Sequence, residues 1–415
     1  MSGGGLLLAA QACSPSDRTE QSLDVVVDTV GDTVSVFTNG PGAWTGPATL
    51  TPTLSIGELE GQAEFLFGNV QSIAVDDSGT LYVLDSQADE IRAFGSDGTF
   101  LRTYGRRGEG PGEFSLPVAI AVLSDKRVLV RDPRNRRVQV FGADGSADAE
   151  WTLLSGSVYS ATPLWVDDED RAYVVTRDRR QDVLSSGPIV IIVAADGSVL
   201  DTISPPTAGF ESPMLEARVE SGGGISRYWS EVPFGPQAFW AVHASGSLVR
   251  AISADYSVDL IRSDGSVVRM GRALEPIPVQ PAERASAESS VTAGMRRVAP
   301  DWQWNGPRIP DTKPPFKGVF AGRDGRIWMW LSTPAVETTN PDYDPSVSGS
   351  AATLWREGVS FDVFEADGSY LGRVDAPDDF GLRPVPVFGE EAVWAVTRDE
   401  LGVQRVVRYQ IRPAS

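Results

Sequence analysis

Charged residues recur at the ends of short apolar runs along this chain, and their types limit the chemistry that they could carry. They are Asp85, Arg131 and Asp132, Arg177 and Asp178, Asp255, and Arg398 and Asp399. Converging carboxylates could supply the roughly six to eight oxygen ligands that Ca²⁺ requires. Arginines beside the carboxylates would instead form ion pairs or bind an anion. The presence of Arg131, Arg177 and Arg398 therefore favours anion binding over a calcium site.

Aromatic residues next to a cation form a second candidate site. The stretch 281–304 predicts a helical insert, because its apolar residues recur at helical spacing, and Arg296 precedes Trp302 and Trp304. One interpretation is a lid that offers two aromatic platforms and a cation to a glycan, a small anionic ligand or a peptide. The alternative is a helix that packs its own tryptophans against the body of the protein.

The amino-acid composition excludes several kinds of site. The 415 residues include one cysteine and one histidine, and the formal net charge is −20. One cysteine excludes an intramolecular disulfide, and neither a cysteine nor a multi-histidine zinc site can form. We expect His243, in a predicted tight turn, to be exposed and inert. The negative charge argues against nucleic acid and anionic membrane surfaces as partners.

Two kinds of tight turn divide the chain into repeats. The first links two inner strands at 76–79, 123–126, 167–170, 243–246, 322–325 and 388–391. The second is an Asp-Gly pair after an apolar strand, at 97–98, 144–145, 196–197, 264–265 and 367–368. Asp-Gly favours the positive φ of a two-residue hairpin. Six four-stranded units lacking one final strand predict an all-β, six-bladed β-propeller of antiparallel blades, which the repeat-like strand at 48–56 would close.

The second repeat resembles the NHL-type propeller repeat. The residues that carry this resemblance are Gly105, Gly108-Glu109-Gly110-Pro111-Gly112-Glu113-Phe114, Pro117, Ile120-Ala121-Val122, Asp132, Asn135, Arg137-Val138, Phe141 and Gly145. The run from Gly108 to Phe114 is similar to a signature of bacterial six-bladed propeller lipoproteins. The first repeat departs from the pattern, with Ala88 and Glu90 in place of Asn and Arg. The resemblance implies that Asp85 and Asp132 accept backbone N–H groups in the turn between the second and third strands.

The N-terminal residues resemble the end of a bacterial lipoprotein signal, in which a cysteine is lipidated after cleavage. Cys13 follows an apolar run, 6–12, and precedes polar residues. No Lys or Arg precedes the run, and Ala10-Gln11 departs from the usual Leu-Ala/Ser, so a flexible tail is the alternative. We predict three segments: a signal-like tether at 1–22, a β-hairpin at 23–47, and the propeller at 48–415, with the helical insert at 281–304.

The long segments of the predicted propeller fall on one face. In each blade, the loops between second and third strands share a face with the loops between blades. The long segments are 177–187, 205–237, 273–316 and 332–358. Long loops in compact folds often carry function. Tyr228-Trp229, after three glycines, is either a binding platform on this face or a packing element.

We therefore predict a non-enzymatic binding module, exported as a periplasmic or cell-surface lipoprotein lipidated at Cys13. The predicted ligand-binding residues are Arg131, Arg177, Tyr228, Trp229, Arg296, Trp302, Trp304 and Arg398. We expect a monomer without a cofactor, whose partner is a protein, a glycan or a small anionic ligand, and which contacts membranes only through its lipid. The alternative is a Ca²⁺-dependent lactonase resembling gluconolactonase-type propellers, in which a metal activates water or polarises a carbonyl.

Overall fold

The protein is built from short strands that alternate along the chain with tight turns. The structure, a computed structural model, describes residues 25–152, 163–177, 188–221, 224–340, 343–344 and 351–414. These ranges contain 30 β-strands and one α-helix. The first three strands are β1 (Val25–Val30), β2 (Thr33–Thr38) and β3 (Ala48–Ile56). The remaining strands, completed by β3, form six blades around a common axis, together with two separate hairpins.

Each of the first three blades is a four-stranded antiparallel sheet in chain order. Blade 1 comprises β4 (Val70–Val75), β5 (Leu81–Asp85), β6 (Glu90–Phe94) and β7 (Phe100–Tyr104). Blade 2 comprises β8 (Ala119–Val122), β9 (Val128–Asp132), β10 (Arg137–Phe141) and β11 (Ala147–Thr152). Blade 3 comprises β12 (Trp165–Val166), β13 (Ala172–Arg177), β14 (Pro188–Val193) and β15 (Val199–Ile203).

The last three blades are interrupted by insertions. A hairpin of β16 (Met214–Ser221) and β17 (Gly224–Glu231) precedes blade 4, which comprises β18 (Ala238–Val242), β19 (Leu248–Ile252), β20 (Val258–Ile261) and β21 (Val267–Arg272). The helix α1 (Pro281–Val298) precedes blade 5, which comprises β22 (Phe316–Ala321), β23 (Ile327–Leu331), β26 (Ser360–Phe364) and β27 (Tyr370–Asp375). A second hairpin, of β24 (Ala335–Thr339) and β25 (Thr353–Glu357), is inserted between β23 and β26. Blade 6 comprises β28 (Val387–Phe388), β29 (Ala392–Arg398), β30 (Gln404–Arg412) and β3.

The ring is closed by a strand from the other end of the chain. β3 pairs antiparallel with β30 from Thr49↔Arg412 to Ile56↔Val406, and so supplies the fourth strand of blade 6. The prediction of a six-bladed propeller closed by an N-terminal strand is confirmed. The predicted helical insert is also present, as α1. No helix in the described ranges has the length and apolar character needed to cross a membrane.

The N-terminal segment runs along the outside of three blades. β2 pairs in parallel with the outermost strand of blade 4, from Thr33↔Val267 to Thr38↔Arg272, and β1 pairs with β2. The chain then passes blade 5, where the backbone N–H of Trp44 donates to the carbonyl of Leu371 at 2.8 Å. It ends as β3 in blade 6. Residues 25–56 therefore form a belt that connects blades 4, 5 and 6.

The Asp-Gly turns differ from the predicted two-residue hairpin. Only their glycines have positive φ, at 86° for Gly98, 90° for Gly145 and Gly197, 87° for Gly265 and 94° for Gly368. The aspartate carboxylate instead accepts the backbone N–H two residues later, as Asp97 does from Thr99 at 2.9 Å. In blade 1 the strand register shifts beside this turn, between Ala93 and Phe94. This is a three-residue loop with a bulge at glycine, which increases strand twist.

Apolar side chains fill the space between neighbouring blades, because each sheet is covered on both faces. Blades 1 and 2 share a cluster that includes Tyr82, Phe114 and Phe141, and blades 5 and 6 share one that includes Trp328 and Phe388. Phe114 is fully buried beneath Gly105, where a Cβ atom would lie only 2.2 Å from its ring. A larger residue at position 105 would therefore displace Phe114.

Candidate functional site

One face of the propeller carries a cap built from the inserted segments. We define the cap as residues 214–221, 224–231 and 281–309, which hold the β16–β17 hairpin, α1 and the stretch after the helix. Its apolar interior contains Leu215 and Ala217 from the hairpin and Met295, Trp302 and Ile309 from the second insert. Odd-numbered residues of β16 face the helix, since side chains alternate across a strand. The cap is therefore a small packed unit with its own core.

The start of α1 is determined by local capping. Pro281 occupies the first turn, where a missing N–H costs nothing. Gln280 and Glu283 form a reciprocal capping box with the free backbone N–H groups. Arg296 and Arg297 lie in the last turn, where positive charge complements the helix dipole. These features explain why a segment with few apolar residues is helical.

The predicted tryptophan platforms lie inside the cap. Trp302 is buried, and its indole N–H donates to the carbonyl of Glu216 at 2.8 Å. Trp304 is half-buried and donates to Pro307 O at 2.9 Å. Arg296 is exposed, but its Nε donates to Trp302 O at 3.0 Å. Trp302 therefore follows the alternative in which the insert packs its own tryptophans. The expectation that it forms an open binding platform was wrong, because it is buried in the cap.

Tyr228 and Trp229 lie on β17 and are exposed. Trp229 is 59% exposed and Tyr228 is 42% exposed, on opposite faces of the strand. Trp229 is directly opposite Glu216, whose carboxylate lies 3.5 Å from Nε of Arg227. The structure thus separates the predicted aromatic residues into a buried support, Trp302, and an exposed pair on the hairpin.

A buried ionic network joins the cap to blade 5. Lys313 Nζ lies 2.7 Å from Glu283 Oε1 on α1 and 3.0 Å from Glu357 Oε1 on β25, and it donates to Thr333 O at 3.1 Å. Lys317 Nζ lies 2.7 Å from the other oxygen of Glu357. The Lys313 and Glu283 side chains are almost fully buried. The sequence showed only two lysines flanking Pro314-Pro315, which gave no indication of partners so distant along the chain.

Burial and pairing act in opposite directions on the charges of this network. Burial lowers the pKa of Lys317 below its usual value, although Glu357 opposes this effect. Burial alone would raise the pKa of Glu357, but Lys317 and the hydrogen bonds from Thr333 and Lys313 outweigh it and lower the pKa. Glu357 is therefore ionised at neutral pH and acts as the shared anion of the network.

The carboxylates at the ends of the second strands bind backbone rather than converging on the axis. Asp85 accepts the N–H groups of Gly68 and Asn69 at 2.8 and 3.0 Å. Asp132 accepts those of Ser115 and Leu116, both at 2.9 Å. These donors lie in the loops that enter each blade, so the aspartates fix those loops. This is close to the role that the repeat resemblance implied.

The predicted arginines do not form one site. Arg131 is buried, and its Nη2 donates to Val175 O of blade 3 at 2.7 Å. Burial lowers the pKa of its guanidinium to about 10, so it stays charged at neutral pH. This position in the interior corrects the expectation of an open anion-binding group. Arg398 is exposed at the end of β29, and Arg177 ends β13. Cys13 and Asp178 lie outside the described residues.

The alternative metal site lacks a set of ligands in the part of the chain that is described. No three His, Cys, Asp or Glu side chains in these ranges are close enough to hold a metal ion. Asp399 is likewise engaged, accepting N–H groups from Leu401 and Val403 and a 2.6 Å contact from Arg405. Asp85, Asp132 and Asp399, three of the carboxylates that suggested calcium, therefore have other partners.

The opposite face consists of short turns that hydrogen-bond from blade to blade. We call this set of contacts the turn ring. Its members are Lys126 to Ser78 at 3.2 Å, Ser124 to Asp170 at 2.7 Å, Asp168 to Ala244 at 2.7 Å, His243 to Gly325 at 2.7 Å, Arg323 N to Phe388 O at 2.9 Å, and the Arg323 side chain to Val75 O and Asp77. The last pair returns to blade 1, so the contacts link all six blades.

His243 is a structural member of the turn ring. Its side chain is buried, with the residue only 6% exposed, so the expectation of solvent exposure was wrong. Nε2 must carry the proton, because its partner, Gly325 O, can only accept. Nδ1 then accepts the N–H of Ser245 at 3.1 Å. A single histidine in one of the six turns gave no sequence signal for this contact.

Comparison with known proteins agrees with this architecture. Residues 56–154 match the model of a protein family described as a 6-bladed beta-propeller. NHL repeat-containing protein 3 of Homo sapiens is 32% identical over 88 residues, which cover 20% of this chain and 24% of that protein. Its Mus musculus counterpart is 32% identical over 143 residues, covering 32% and 38%. The chain thus matches well under half the length of these relatives, and the resemblance to six-bladed propellers with NHL-type repeats is confirmed.

Solved structures with a similar fold are distant in sequence. A Bacteroides fragilis protein described as exported is 11% identical, with 92% of this chain and 99% of that chain covered and a TM-score of 0.47. A gluconolactonase from Xanthomonas campestris is 14% identical, with 89% and 95% covered and a TM-score of 0.36. Likenesses of this size carry no argument about function.

Proposed function

We propose that this six-bladed propeller with NHL-type repeats is an exported, non-enzymatic module that binds a protein partner through its cap. The observation that carries the proposal is the exposure of Trp229 on a hairpin that a packed core supports. A large aromatic side chain gains little by remaining in water, and tryptophan and tyrosine dominate the energetics of protein interfaces. Trp229 therefore serves as the main anchor of the interface, and Tyr228, on the other face of β17, lies at its margin.

The surroundings of the anchors favour a protein over a glycan or a small anion. Glu216 and Arg227 flank Trp229, and Arg218 and Glu220 continue the same face of the hairpin. Alternating charge around an exposed aromatic residue matches the polar rim of a protein interface. A small anionic ligand would require converging cations, whereas the predicted arginines Arg131, Arg296 and Arg398 have separate environments.

A crosslinking experiment tests this proposal. Trp229→p-benzoylphenylalanine places a photoreactive group at the proposed anchor, and the same substitution at Leu101 is the matched control. Leu101 is 50% exposed on the outer strand of blade 1, away from the cap. In the cells that make the protein, we expect a discrete protein adduct from position 229 and none from 101. Equal labelling at both positions, or adducts containing only carbohydrate, would contradict a protein interface at the cap.

The export part of the proposal rests on Cys13 and the apolar run before it. We expect the protein to incorporate an alkyne-labelled fatty acid in its native host and to lose the label in Cys13→Ser. The test is fluorescence of the clicked label on the immunoprecipitated protein. Label that persists in Cys13→Ser would remove the lipid anchor from the proposal and leave binding at the cap unaffected.

A metal-dependent lactonase is not favoured by any contact in the structure. Its strongest candidate ligands, Asp85 and Asp132, hold backbone N–H groups at 2.8–3.0 Å. We expect the melting temperature to be the same in EDTA and in added Ca²⁺. A bound metal would raise stability by about 2.7 kcal/mol at a hundredfold excess over its dissociation constant, so a rise that EDTA reverses would restore this alternative.

A further inference from the structure

The hairpin of the cap has a strand edge that belongs to no blade. β16 and β17 form a two-stranded sheet of their own, in the register Glu216↔Trp229 and Arg218↔Arg227. In an antiparallel pair, residues alternate between those whose N–H and C=O point at the partner strand and those whose groups point away. One edge of β16 therefore presents backbone donors and acceptors away from β17.

The contacts of Glu216 show which residues these are. Its backbone N–H donates to Asn305 Oδ1 at 3.4 Å, and its carbonyl accepts from Trp302 Nε1 at 2.8 Å and Asn305 Nδ2 at 2.6 Å. Glu216 thus points outward, and the alternation makes Arg218 and Glu220 point the same way. Within the described ranges, their backbone N–H and C=O groups have no partner at this edge.

A groove runs along this free edge. It has a volume of about 640 Å³ and lies between β16 and the end of the helix. Its wall opposite the strand is formed by Val298, Ala299, Pro300 and Asp301, and Trp302 closes it near Glu216. Arg218 and Glu220, whose backbone groups point away from β17, line the same groove. The groove therefore combines an open strand edge with a second wall that would hold a bound segment in place.

The two sides of the groove differ in character. Val219 and the wall residues Val298 and Pro300 are apolar, whereas the β16 side chains of Glu216, Arg218 and Glu220 are charged. Arg218 and Glu220 are largely exposed, and their charged atoms lie 3.8 Å apart. A strand added at this edge would place alternate side chains on the apolar side and on the charged side.

We propose that the partner protein binds this groove as an extended segment that adds a third strand to the hairpin. This inference rests on the proposed function and defines its partner. The outward groups of Arg218 and Glu220 repeat every two residues, about 6.7 Å apart, which is the repeat of an extended polypeptide and not of a glycan. Charge complementarity predicts a basic residue of the bound segment opposite Glu220 and an acidic residue opposite Arg218. The residue between these two faces the apolar side of the groove and is expected to be apolar.

Strand addition would begin where the chain already provides substitutes for a third strand. The side chains of Asn305 and Trp302 hydrogen-bond to the backbone N–H and C=O of Glu216. They do not reach the corresponding backbone groups of Arg218, where the edge becomes free. The charges of Arg218 and Glu220 also protect the edge against indiscriminate pairing, since a strand that places like charges opposite them is repelled. The edge therefore selects segments by their charge order as well as by backbone hydrogen bonds.

A fluorescent peptide, Ser-Val-Lys-Val-Glu-Val-Ser, tests the proposal by fluorescence polarisation with the full chain. In an antiparallel addition, its Lys and Glu lie opposite Glu220 and Arg218 and point their N–H groups at β16. We expect N-methylation of Lys and Glu to abolish binding and N-methylation of the valines to preserve it. Exchanging Lys and Glu should weaken binding several-fold. No binding at about 1 mM peptide, or equal binding of both methylated forms, overturns the proposal.

Arg218→Pro and Arg218→Ala form the matched pair of variants. Proline removes the outward N–H at position 218 without removing a bond to β17, whereas alanine removes only the side chain. We expect about tenfold weaker peptide binding for Arg218→Pro, the effect of one lost hydrogen bond and a disturbed neighbour, and a smaller loss for Arg218→Ala. Equal melting temperatures would show that both variants are folded. If Arg218→Pro has a lowered melting temperature, the comparison of the methylated peptides with the unmodified protein decides in its place.

The outcomes separate this inference from the proposed function. If crosslinks from position 229 persist in Arg218→Pro and the peptide does not bind, the cap is an interface but strand addition is wrong. If neither position 229 nor the peptide gives a signal, both proposals fail. If light scattering shows a dimer that Arg218→Pro dissociates, the occupant is a second copy of this chain, which overturns the assignment to a partner protein.

Discussion

The two faces of this propeller use the same four-stranded blades for different purposes. On one face, short turns bond from blade to blade in the turn ring, and even the lone histidine is consumed by a structural contact. On the other face, insertions before blades 4 and 5 build a cap with its own core, an exposed tryptophan and a free strand edge. Backbone and side-chain groups of the turns are hydrogen-bonded to one another on the first face, whereas, in the part of the chain that the structure describes, backbone groups at the edge of β16 have no partner on the second. The difference indicates where evolution can add function without altering the ring.

The largest effect is expected from breaking the ionic network under the cap. Lys313→Ala would leave Glu283 buried without its cation and deprive Glu357 of one partner. Removing one partner of a buried pair costs about 3–5 kcal/mol, so we expect a clear fall in the free energy of unfolding. The measurement is denaturant unfolding, with hydrogen exchange across α1. Arg308→Ala, which removes a pair exposed on both sides, is the control and should have almost no effect.

A smaller effect is expected from opening the turn ring. His243→Ala leaves the carbonyl of Gly325 without its donor at a buried position. An unsatisfied buried acceptor costs about 1–3 kcal/mol, and we expect a loss in this range by thermal unfolding. Binding at the cap should be unchanged. A His243→Ala protein with wild-type stability would show that the turn ring is incidental to the fold.

Acid should weaken the ionic network that joins the cap to blade 5, because Glu357 becomes protonated. Its pKa in the folded protein lies below the ordinary 4.5, so its contribution is present above that pH and is lost as the pH falls through the folded value. The stability difference between wild type and Glu357→Gln should therefore be constant from neutral pH to about 4.5 and shrink below it. Melting temperatures of both proteins across this range test the prediction. A difference independent of pH would mean that Glu357 acts without its charge.

The smallest effect on stability is expected at the proposed anchor. Trp229→Ala removes an exposed side chain, so the free energy of unfolding should change by less than about 0.5 kcal/mol. The same variant should lose the partner found by crosslinking. A destabilisation as large as that of Lys313→Ala would identify Trp229 as a support of the cap, and its role as an anchor would be withdrawn.

The sequence carried most of the information about the ring and little about the cap. Tight turns and short apolar runs are local signals, so six blades and the closing strand at 48–56 could be predicted from them. The helix could be predicted as well, since Val291, Met295 and Val298 fall on one stripe that packs into the cap. The β16–β17 hairpin lies where the sequence predicts a long loop: Leu215, Ala217 and Val219 of β16 alternate with charged residues, but β17, with Tyr228 and Trp229 side by side, lacks the apolar alternation that marks a second strand.

Partners distant in sequence account for the remaining differences. Nothing near Arg131 in the chain indicated that it donates to Val175 of the next blade. Likewise, the burial of Trp302 depends on β16, which lies 86 residues earlier. Residue type suggested a site in both cases, but only the packing of separate segments decides whether such a residue is exposed. The role of Asp85 and Asp132 is easier to predict, because it follows from a local turn.

The belt has a consequence for how the protein is made. Ribosomes synthesise residues 25–56 long before their partners β21, β27 and β30, which lie far later in the chain. Until those partners emerge, these early strands hold apolar surface without a pairing partner, which invites aggregation. Such a nascent segment is a natural client for chaperones. The closing of the ring is therefore a late event, in which β3 is captured by β30, a strand synthesised after those of the other five blades.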